Sequence, residues 1–138
     1  MYPEPIEPAI ADKPADALRL VCEALSEGDL EAAVALYDPD AALAVAVGTS
    51  AHGTDEVRAA LRGLSDTRLP ICVSVTAEMT VGDQALVFAL RTVSGRSIDG
   101  PVVQLAGEGG AVLKSSEAKG WRLAIDIWNL TTPDASGR

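Results

Sequence analysis

Cysteine and histidine are scarce in this chain, which has two cysteines and one histidine among 138 residues. Cys22 and Cys72 lie far apart, so they form neither a disulfide framework nor a spacing that would bind a metal. We interpret both as small buried apolar groups, since free cysteine is among the most buried residue types. A catalytic pair of either thiol with His52 is the alternative. We expect no metal and no cofactor.

Basic residues and long apolar runs are also few. The net charge is −9, and the eleven Lys and Arg residues are scattered along the sequence without forming a patch. Nucleic acids and anionic membranes need clustered positive charge opposite their phosphates, so we expect neither as a partner. No apolar run approaches the roughly 20 residues that cross a bilayer, and no signal peptide pattern is present. We therefore expect a cytoplasmic protein.

The composition that remains is typical of one globular domain. The chain length and an apolar fraction of 48% both fit a single core. Four prolines and several acids in the first 14 residues indicate an arm without regular structure. We predict a flexible N-terminal arm over residues 1–12, one domain over 13–131 and a C-terminal tail over 132–138.

Helical spacing of apolar residues is confined to the N-terminal half. Gly28 fits the left-handed end of a helix, whereas Asp29 and Thr54 fit N-caps. The spacing predicts three helices, which run from Asp12 and Pro14 to about Leu25, from Asp29 to about Tyr37, and from Asp55 to about Leu64.

Extended patterns occupy the rest of the chain. They predict strands over 41–47, 69–81, 85–94, 102–114 and 121–129, with glycines at 107, 109 and 110 producing a bulge or bend. In the last strand the odd positions, from Trp121 to Ile127, form the apolar face. Asp126 and Trp128 then point the other way, towards solvent or a dimer partner. The fold class is α+β, with the three helices covering one face of a curved antiparallel sheet.

Four segments together resemble a known superfamily. They read ALSEGDLEAAVALYDPDAAL over 24–43, HGTDEVRAALRGL over 52–64, GDQALVFALRTVSG over 82–95 and EGGAVLKSSEAKGWRLAIDIWN over 108–129. This order resembles the nuclear transport factor 2-like superfamily, and within it the SnoaL-like and ketosteroid-isomerase-like proteins. The resemblance implies a cone-shaped sheet that encloses one pocket with the helices, and a homodimer formed through the outer sheet face.

The resemblance also allows the catalytic groups of two relatives to be compared with this sequence. In ketosteroid isomerase the general base falls at Val45, the tyrosine of the oxyanion hole at Val21 and the protonated aspartate near Gly109. In limonene epoxide hydrolase the arginine falls at Arg91, but the two aspartates fall at Val93 and Ile127. Neither set of carboxylates is kept, so neither mechanism is expected.

Arg91 is the sharpest functional candidate. By strand alternation it shares a face with Ala89 and Val93, which the resemblance turns towards the pocket. A guanidinium inside an apolar pocket needs a partner, because its desolvation costs several kcal/mol. That partner is either an anionic ligand or a protein acid such as Asp38 or Asp40, unless Arg91 points outward.

Two further polar residues are candidates beside Arg91. Tyr37 directs its hydroxyl into the pocket or packs in the core, and Asn129 lies at the pocket mouth or satisfies the strand end. The candidate catalytic residues are thus Arg91, Asn129 and Tyr37. The candidate ligand-binding residues are Val45, Met79, Ala89, Val93, Trp121 and Ile127.

Two functions remain open from the sequence. The first is an enzyme, a cyclase or isomerase of polyketide-like biosynthesis, that binds a hydrophobic and possibly anionic small molecule and works mainly by orienting it. The second is a non-catalytic module of the same fold that binds a ligand or forms a dimer.

Overall fold

The computed structural model describes residues 10–96 and 100–132. Most of the predicted N-terminal arm and C-terminal tail lies outside this part of the chain, and the proposed domain limits stay predictions. The elements are α1 (Pro14–Ser26), α2 (Leu30–Val34), β1 (Tyr37–Ala46), β2 (Ala51–His52), α3 (Gly53–Thr67), β3 (Ile71–Val81), β4 (Gln84–Arg96), β5 (Val102–Ser116) and β6 (Gly120–Leu130).

The strands form one curved, unclosed sheet in the order β2-β1-β6-β5-β4-β3. Strands β3 to β6 make the predicted antiparallel meander. In contrast to the fully antiparallel prediction, β1 runs parallel to β6, with Ala42 opposite Ile125 and Ala44 opposite Ile127. The helices precede this meander and pack against the sheet, so the α+β cone is confirmed.

The helix boundaries follow local capping. Gly28 has a φ of +78°, and the Asp29 carboxylate accepts a hydrogen bond from the backbone N–H of Ala32 at 3.1 Å, as predicted for this turn. The predicted cap at Thr54 is wrong, because α3 begins two residues earlier, at Gly53, with His52 at its N-cap. There the Glu56 side chain accepts from the backbone N–H of His52 at 3.0 Å, which satisfies one of the free donors of the first turn.

The second helix is shorter than predicted. It ends at Val34, and the chain is already extended at Tyr37, where β1 begins opposite Leu123 of β6. The backbone N–H of Leu123 donates to the carbonyl of Leu36 at 2.9 Å. Pairing with β6 therefore replaces the last predicted turn of helix at this point.

Strand β4 shows the predicted alternation. Its buried side chains are Ala85, Val87, Ala89, Arg91 and Val93. The side chains between them are exposed or half-buried, so the face that packs on the helices is defined without ambiguity. Arg91 lies on this inner face and is 1% exposed.

Strand β6 departs from simple alternation. Val112 of β5 pairs with Ile125, but the next residue, Leu113, pairs with Leu123, so Ala124 is the extra residue of a β-bulge. Beyond the bulge the faces exchange. Ile125 and Ile127 are 45% and 39% exposed, whereas Asp126 and Trp128 are buried.

Five placements predicted from alternation are therefore wrong. Ile125 and Ile127 do not lie on the inner face, and neither Asp126 nor Trp128 points outward. Met79 is similarly displaced: a register shift between Val75 and Ala77 of β3 leaves it 69% exposed. Each bulge moves all the residues after it to the opposite face of the sheet.

Two glycines of β5 allow a close approach of strands. A Cβ atom at Gly107 would contact the carbonyl oxygens of Trp128 and Asn129, and one at Gly109 would contact that of Ile127. Any side chain at these positions would push backbone apart. Because Gly107 is opposite Arg91 in the sheet, it also presents no side chain beside the guanidinium.

Candidate functional site

A cluster of four polar side chains lies on the inner face of the sheet: Arg91, Asp126, Tyr37 and Trp128, referred to below as the inner cluster. The Asp126 carboxylate is its centre. It accepts from the Tyr37 hydroxyl at 2.6 Å, from Trp128 Nε1 at 2.7 Å and from Arg91 Nη2 at 2.9 Å. Asp126 and Arg91 are each 1% exposed, so this ion pair is fully removed from solvent.

Arg91 has three kinds of contact and one unused donor. Besides Asp126, its Nη1 donates to the carbonyl of Ile127 at 3.3 Å, and its guanidinium carbon lies 4.6 Å from the centre of the Trp128 ring. The buried Nε has no acceptor among residues 10–96 and 100–132. A buried N–H without a partner is unfavourable, so this atom is the one unsatisfied polar group of the inner cluster.

The elements explain how these residues meet. Tyr37 opens β1, Arg91 sits on β4, and the bulge at Ala124 turns Asp126 and Trp128 of β6 inward. A buried ion pair stabilises a fold only when its hydrogen bonds are satisfied, since desolvation of both charges opposes the attraction. Two extra donors to Asp126 and the aromatic face on Arg91 supply this compensation.

Burial controls the protonation of two nearby groups. It raises the pKa of Tyr37 well above the usual value of 10.0, and the negative charge of Asp126 adds to this effect. Burial also raises the pKa of Cys22 from 9.0 to about 12, although the positive charge of Arg91 opposes the shift. Tyr37 is therefore a protonated donor near neutral pH, and the Cys22 thiol is not a nucleophile there.

The two cysteines differ in their exposure to solvent. Cys22 is buried, as predicted, but Cys72 is exposed, so the prediction that both are buried is wrong for Cys72. His52 is exposed at the start of α3. Within the described ranges, no group of three or more His, Cys, Asp or Glu residues has an arrangement that could hold a metal ion.

The other candidate residues fall into two groups. Ala89 and Val93 are buried beside Arg91, and Val45 and Trp121 are partly buried against the core. Asn129 instead has an exposed side chain and a left-handed φ of +56°, and its amide donates to the carbonyl of Glu108 at 3.1 Å. This contact fits the second alternative for Asn129, in which its side chain forms a hydrogen bond with backbone at the strand end.

Sequence reasoning missed the partner of Arg91. The acids considered were Asp38 and Asp40, but the Asp38 carboxylate accepts from the backbone N–H of Asp40 at 2.9 Å instead. The comparison with epoxide hydrolase reached Ile127, one residue beyond the carboxylate that does face Arg91. Alternation of Asp126, Trp128 and Leu130 was the available signal, and it required the bulge to be recognised.

The outer face of the sheet carries a row of apolar residues, with the exposed Glu108 opposite Leu90 beside it. A row of residues in register crosses five strands and consists of Met79, Leu86, Val112, Ile125 and Ala42. Phe88 and Leu90 lie next to this row and are 44% and 40% exposed. A depression of about 250 Å³ opens at its β3 and β4 end. We refer to the row with Phe88 and Leu90 as the outer apolar face.

Comparison with known proteins identifies the family. The family model of the SnoaL-like domain matches residues 18–123, which is most of the chain. The chain belongs to the SnoaL-like domain family. This match confirms the resemblance to the SnoaL-like proteins of the nuclear transport factor 2-like superfamily. No curated protein sequence matches the chain.

Solved structures share the fold of this SnoaL-like protein at low sequence identity. A ketosteroid isomerase-like protein from Erwinia carotovora atroseptica has a TM-score of 0.73 and 20% identity, over 87% of this chain and 95% of that one. An NTF2-like protein with a cystatin-like fold from Novosphingobium aromaticivorans has a TM-score of 0.70 and 20% identity, over 89% and 82%.

A third solved structure is also similar. A candidate calcium/calmodulin-dependent protein kinase type II association domain from Thiobacillus denitrificans has a TM-score of 0.68 and 16% identity, over 90% of this chain and 98% of that one. Identities this low establish the shared fold alone. In the described part of this SnoaL-like protein, no helix is long and apolar enough to cross a membrane.

Proposed function

We propose that this SnoaL-like protein binds a small hydrophobic molecule inside its cone and holds one oxygen of that molecule at Arg91. The oxygen belongs to a carboxylate, an enolate or a polarised carbonyl. The reaction we propose is a cyclisation or isomerisation of a polyketide-like substrate, in which orientation contributes more than proton transfer.

The observation that carries this proposal is the unpaired Arg91 Nε. It is a buried, charged donor without an acceptor among the described residues. An acceptor must enter the interior to reach it, and the side chains around it on β4, Ala89 and Val93, are apolar. A ligand with an apolar body and one oxygen therefore matches both the walls and the donor.

Arg91 also fits the chemistry of an enolate. When a carbonyl substrate loses a neighbouring proton, negative charge develops on its oxygen, and a fixed guanidinium in a dry site stabilises that charge. Asp126 and Trp128 hold Arg91 in place, so it does not have to reorganise during the reaction. In this proposal Arg91 is the catalytic residue, and Asp126 positions it.

A non-catalytic ligand-binding module is the second candidate, and one observation favours it. Asp126 already accepts three hydrogen bonds, from Tyr37, Trp128 and Arg91. The protein's own donors thus occupy Asp126, and the inner cluster contains no second carboxylate. Without another base, the site binds an oxygen but does not remove a proton.

The binding test compares two probes of the same size. Calorimetry with 2-naphthoate and with the neutral 2-naphthamide should show tighter binding of the carboxylate to the wild-type protein. Arg91→Met combined with Asp126→Asn removes both charges together and keeps an acceptor for Tyr37 and Trp128. We expect about tenfold weaker naphthoate binding and no change for the amide.

The control for this test is Arg62→Met, which removes an exposed positive charge from α3. It should leave both affinities unchanged. If the folded double variant binds naphthoate as tightly as the wild type, Arg91 is not the anchor. A separate assay distinguishes the two proposed functions. An enzyme would cyclise a linear polyketone faster than buffer does, whereas a binding module would not.

We also propose that the protein is a homodimer that pairs the outer apolar face with a second copy. Two copies related by a two-fold axis present the same patch to each other, which removes a continuous apolar row from water on both sides. The central row from Met79 to Ile125 carries no charged side chain that would be left unpaired in such an interface.

A cytoplasmic location completes the proposal. Both cysteines are free, which suits a reducing compartment. Fractionation of cells that express the tagged protein would test this location directly.

A further inference from the structure

The hairpin between β5 and β6 gathers positive charge in one place. Lys114, Lys119 and Arg122 line an open depression of about 430 Å³, together with residues 115, 116, 118 and 120 of the hairpin and with Asp38 and Pro39 of β1. The expectation that basic residues form no patch is therefore wrong here, because the hairpin folds separate sequence positions together. The depression shares no residue with the inner cluster.

Two of these cations are neighbours in the sheet. Lys114 pairs directly with Arg122 across the β5 and β6 strands. Like charges directly opposite each other destabilise a sheet, so this pairing is unfavourable unless an anion lies between them. Within residues 10–96 and 100–132, no carboxylate forms an ion pair with Lys114, Lys119 or Arg122.

The depression also contains neutral donors. The Ser116 hydroxyl oxygen accepts from the backbone N–H of Lys119 at 3.1 Å, which leaves its own hydrogen free to donate into the depression. Asp38 is the single acid of the lining, and one of its oxygens is held by the backbone N–H of Asp40. Three cations and one acid leave two uncompensated positive charges.

We propose that this hairpin depression binds a phosphate monoester as its dianion. A dianion balances the two remaining charges, its oxygens accept from Arg122 and the lysines, and the serine hydroxyls supply further donors. The volume exceeds that of a phosphate group, so part of the organic group fits beside it. The inference is independent of the ligand proposed for the inner cluster.

Nuclear magnetic resonance of the labelled full-length protein tests the site. Titration with phenyl phosphate at constant ionic strength should shift the amide signals of residues 114–122, whereas benzamide and sodium chloride should not. Lys114→Gln and Arg122→Gln should each weaken phenyl phosphate binding about fivefold, and the triple variant with Lys119→Gln should lose it.

The matched control is Arg62→Gln, which removes one exposed positive charge far from the hairpin in sequence and should leave the affinity unchanged. Without phosphate, Lys114→Gln should be at least as stable as the wild type in thermal unfolding, since it relieves a repulsion. The proposal is overturned if the triple variant binds as well as the wild type. It is also overturned if Arg62→Gln weakens binding as much as Arg122→Gln, or if the shifted amides lie outside residues 114–122.

Discussion

The two faces of the sheet differ in an unusual direction. The inner face buries the Asp126 carboxylate together with its three donors, the Tyr37 hydroxyl, the Arg91 guanidinium and the Trp128 indole N–H. The outer face leaves Leu86 and Phe88 of β4 at least 40% exposed. A polar cluster is therefore enclosed in an otherwise apolar interior while large apolar side chains of the same strands are exposed, and both features depart from the arrangement that burial alone favours.

The difference indicates where interactions remain to be made. The inner cluster has satisfied all of its groups except Arg91 Nε, so what it lacks is one acceptor. The outer apolar face instead lacks an apolar partner surface that would cover it. One face is thus suited to a small ligand and the other to a macromolecule, and the predictions below alter one face at a time.

Asp126→Ala should have the largest effect. It leaves the Arg91 charge, the Tyr37 hydroxyl and the Trp128 indole without their shared acceptor inside the core. Removal of one partner of a buried ion pair costs about 3–5 kcal/mol in the free energy of unfolding. Urea denaturation followed by circular dichroism measures the loss.

The control for Asp126→Ala is Glu31→Gln, which breaks the exposed ion pair of Glu31 with Arg58. It should change stability far less, because solvent screens that pair. Equal losses in the two variants would mean that the inner cluster is not the principal polar contribution to stability.

Phe88→Glu should break the outer face without affecting the inner one. In a two-fold dimer the change introduces two charges into the interface, so the dimerisation constant should weaken about a hundredfold. Sedimentation equilibrium measures this change, and near-ultraviolet circular dichroism should be unaltered. Ala59→Glu, on the exposed surface of α3, is the matched control. An unchanged dimer in Phe88→Glu would exclude this face as the interface.

Alkaline pH should destabilise the protein through buried groups near the inner cluster. The folded pKa of Cys22 is about 12, against 9.0 for the free thiol, so its stabilising contribution is complete below pH 9.0 and is lost as pH rises towards 12. Between pH 9 and pH 11 the loss is about 2–3 kcal/mol. The raised pKa of Tyr37 acts in the same direction, above pH 10.0.

Cys22→Ala tests the alkaline prediction. The variant should lose less stability than the wild type between pH 9 and pH 11, when urea midpoints are compared at each pH. Cys72→Ala, at an exposed position, should behave like the wild type. If the wild type and Cys22→Ala lose stability in parallel, the thiol does not titrate as described.

Thiol reactivity should show the smallest effect, a difference in labelling rate without a change in stability. In a Cys72→Ser background, Cys22 should react with a disulfide reagent only as fast as the structure opens. The complementary Cys22→Ser variant leaves the exposed Cys72, which should react faster. Equal rates for the two thiols would mean that the region around Cys22 opens readily.

Much of the fold follows from periodicity. The Gly28 and Asp29 turn, the long strands and the inward face of β4 all depend on contacts between near neighbours in sequence. The parallel pairing of β1 with β6 does not, because it joins residues more than 80 positions apart. The shortening of α2 also results from this distant pairing, since the chain pairs with β6 from Tyr37 onward.

The candidate site was less predictable for a related reason. Arg91, Ala89 and Val93 lie on the predicted face because β4 obeys simple alternation, whereas Tyr37 lies at the start of β1 and not at the predicted helix end. Asp126 was assigned to the wrong face because the extra residue at Ala124 has no sequence signature of its own. Alanine carries no turn preference that would distinguish a bulge from a regular strand position.

The bulge at Ala124 decides which side chains of strand β6 face the interior after this position. A substitution on this strand changes one side chain, but a regular strand that kept Ala124 and lost the bulge would change the environment of every residue that follows. Such a strand would exchange an ion pair for two isoleucines in the interior and expose a tryptophan in the same step, whereas deletion of Ala124 would join Leu123 to Ile125 and keep Asp126 and Trp128 inside. The position of a single small residue thus decides which of two chemical faces, both written in the same strand, the protein uses.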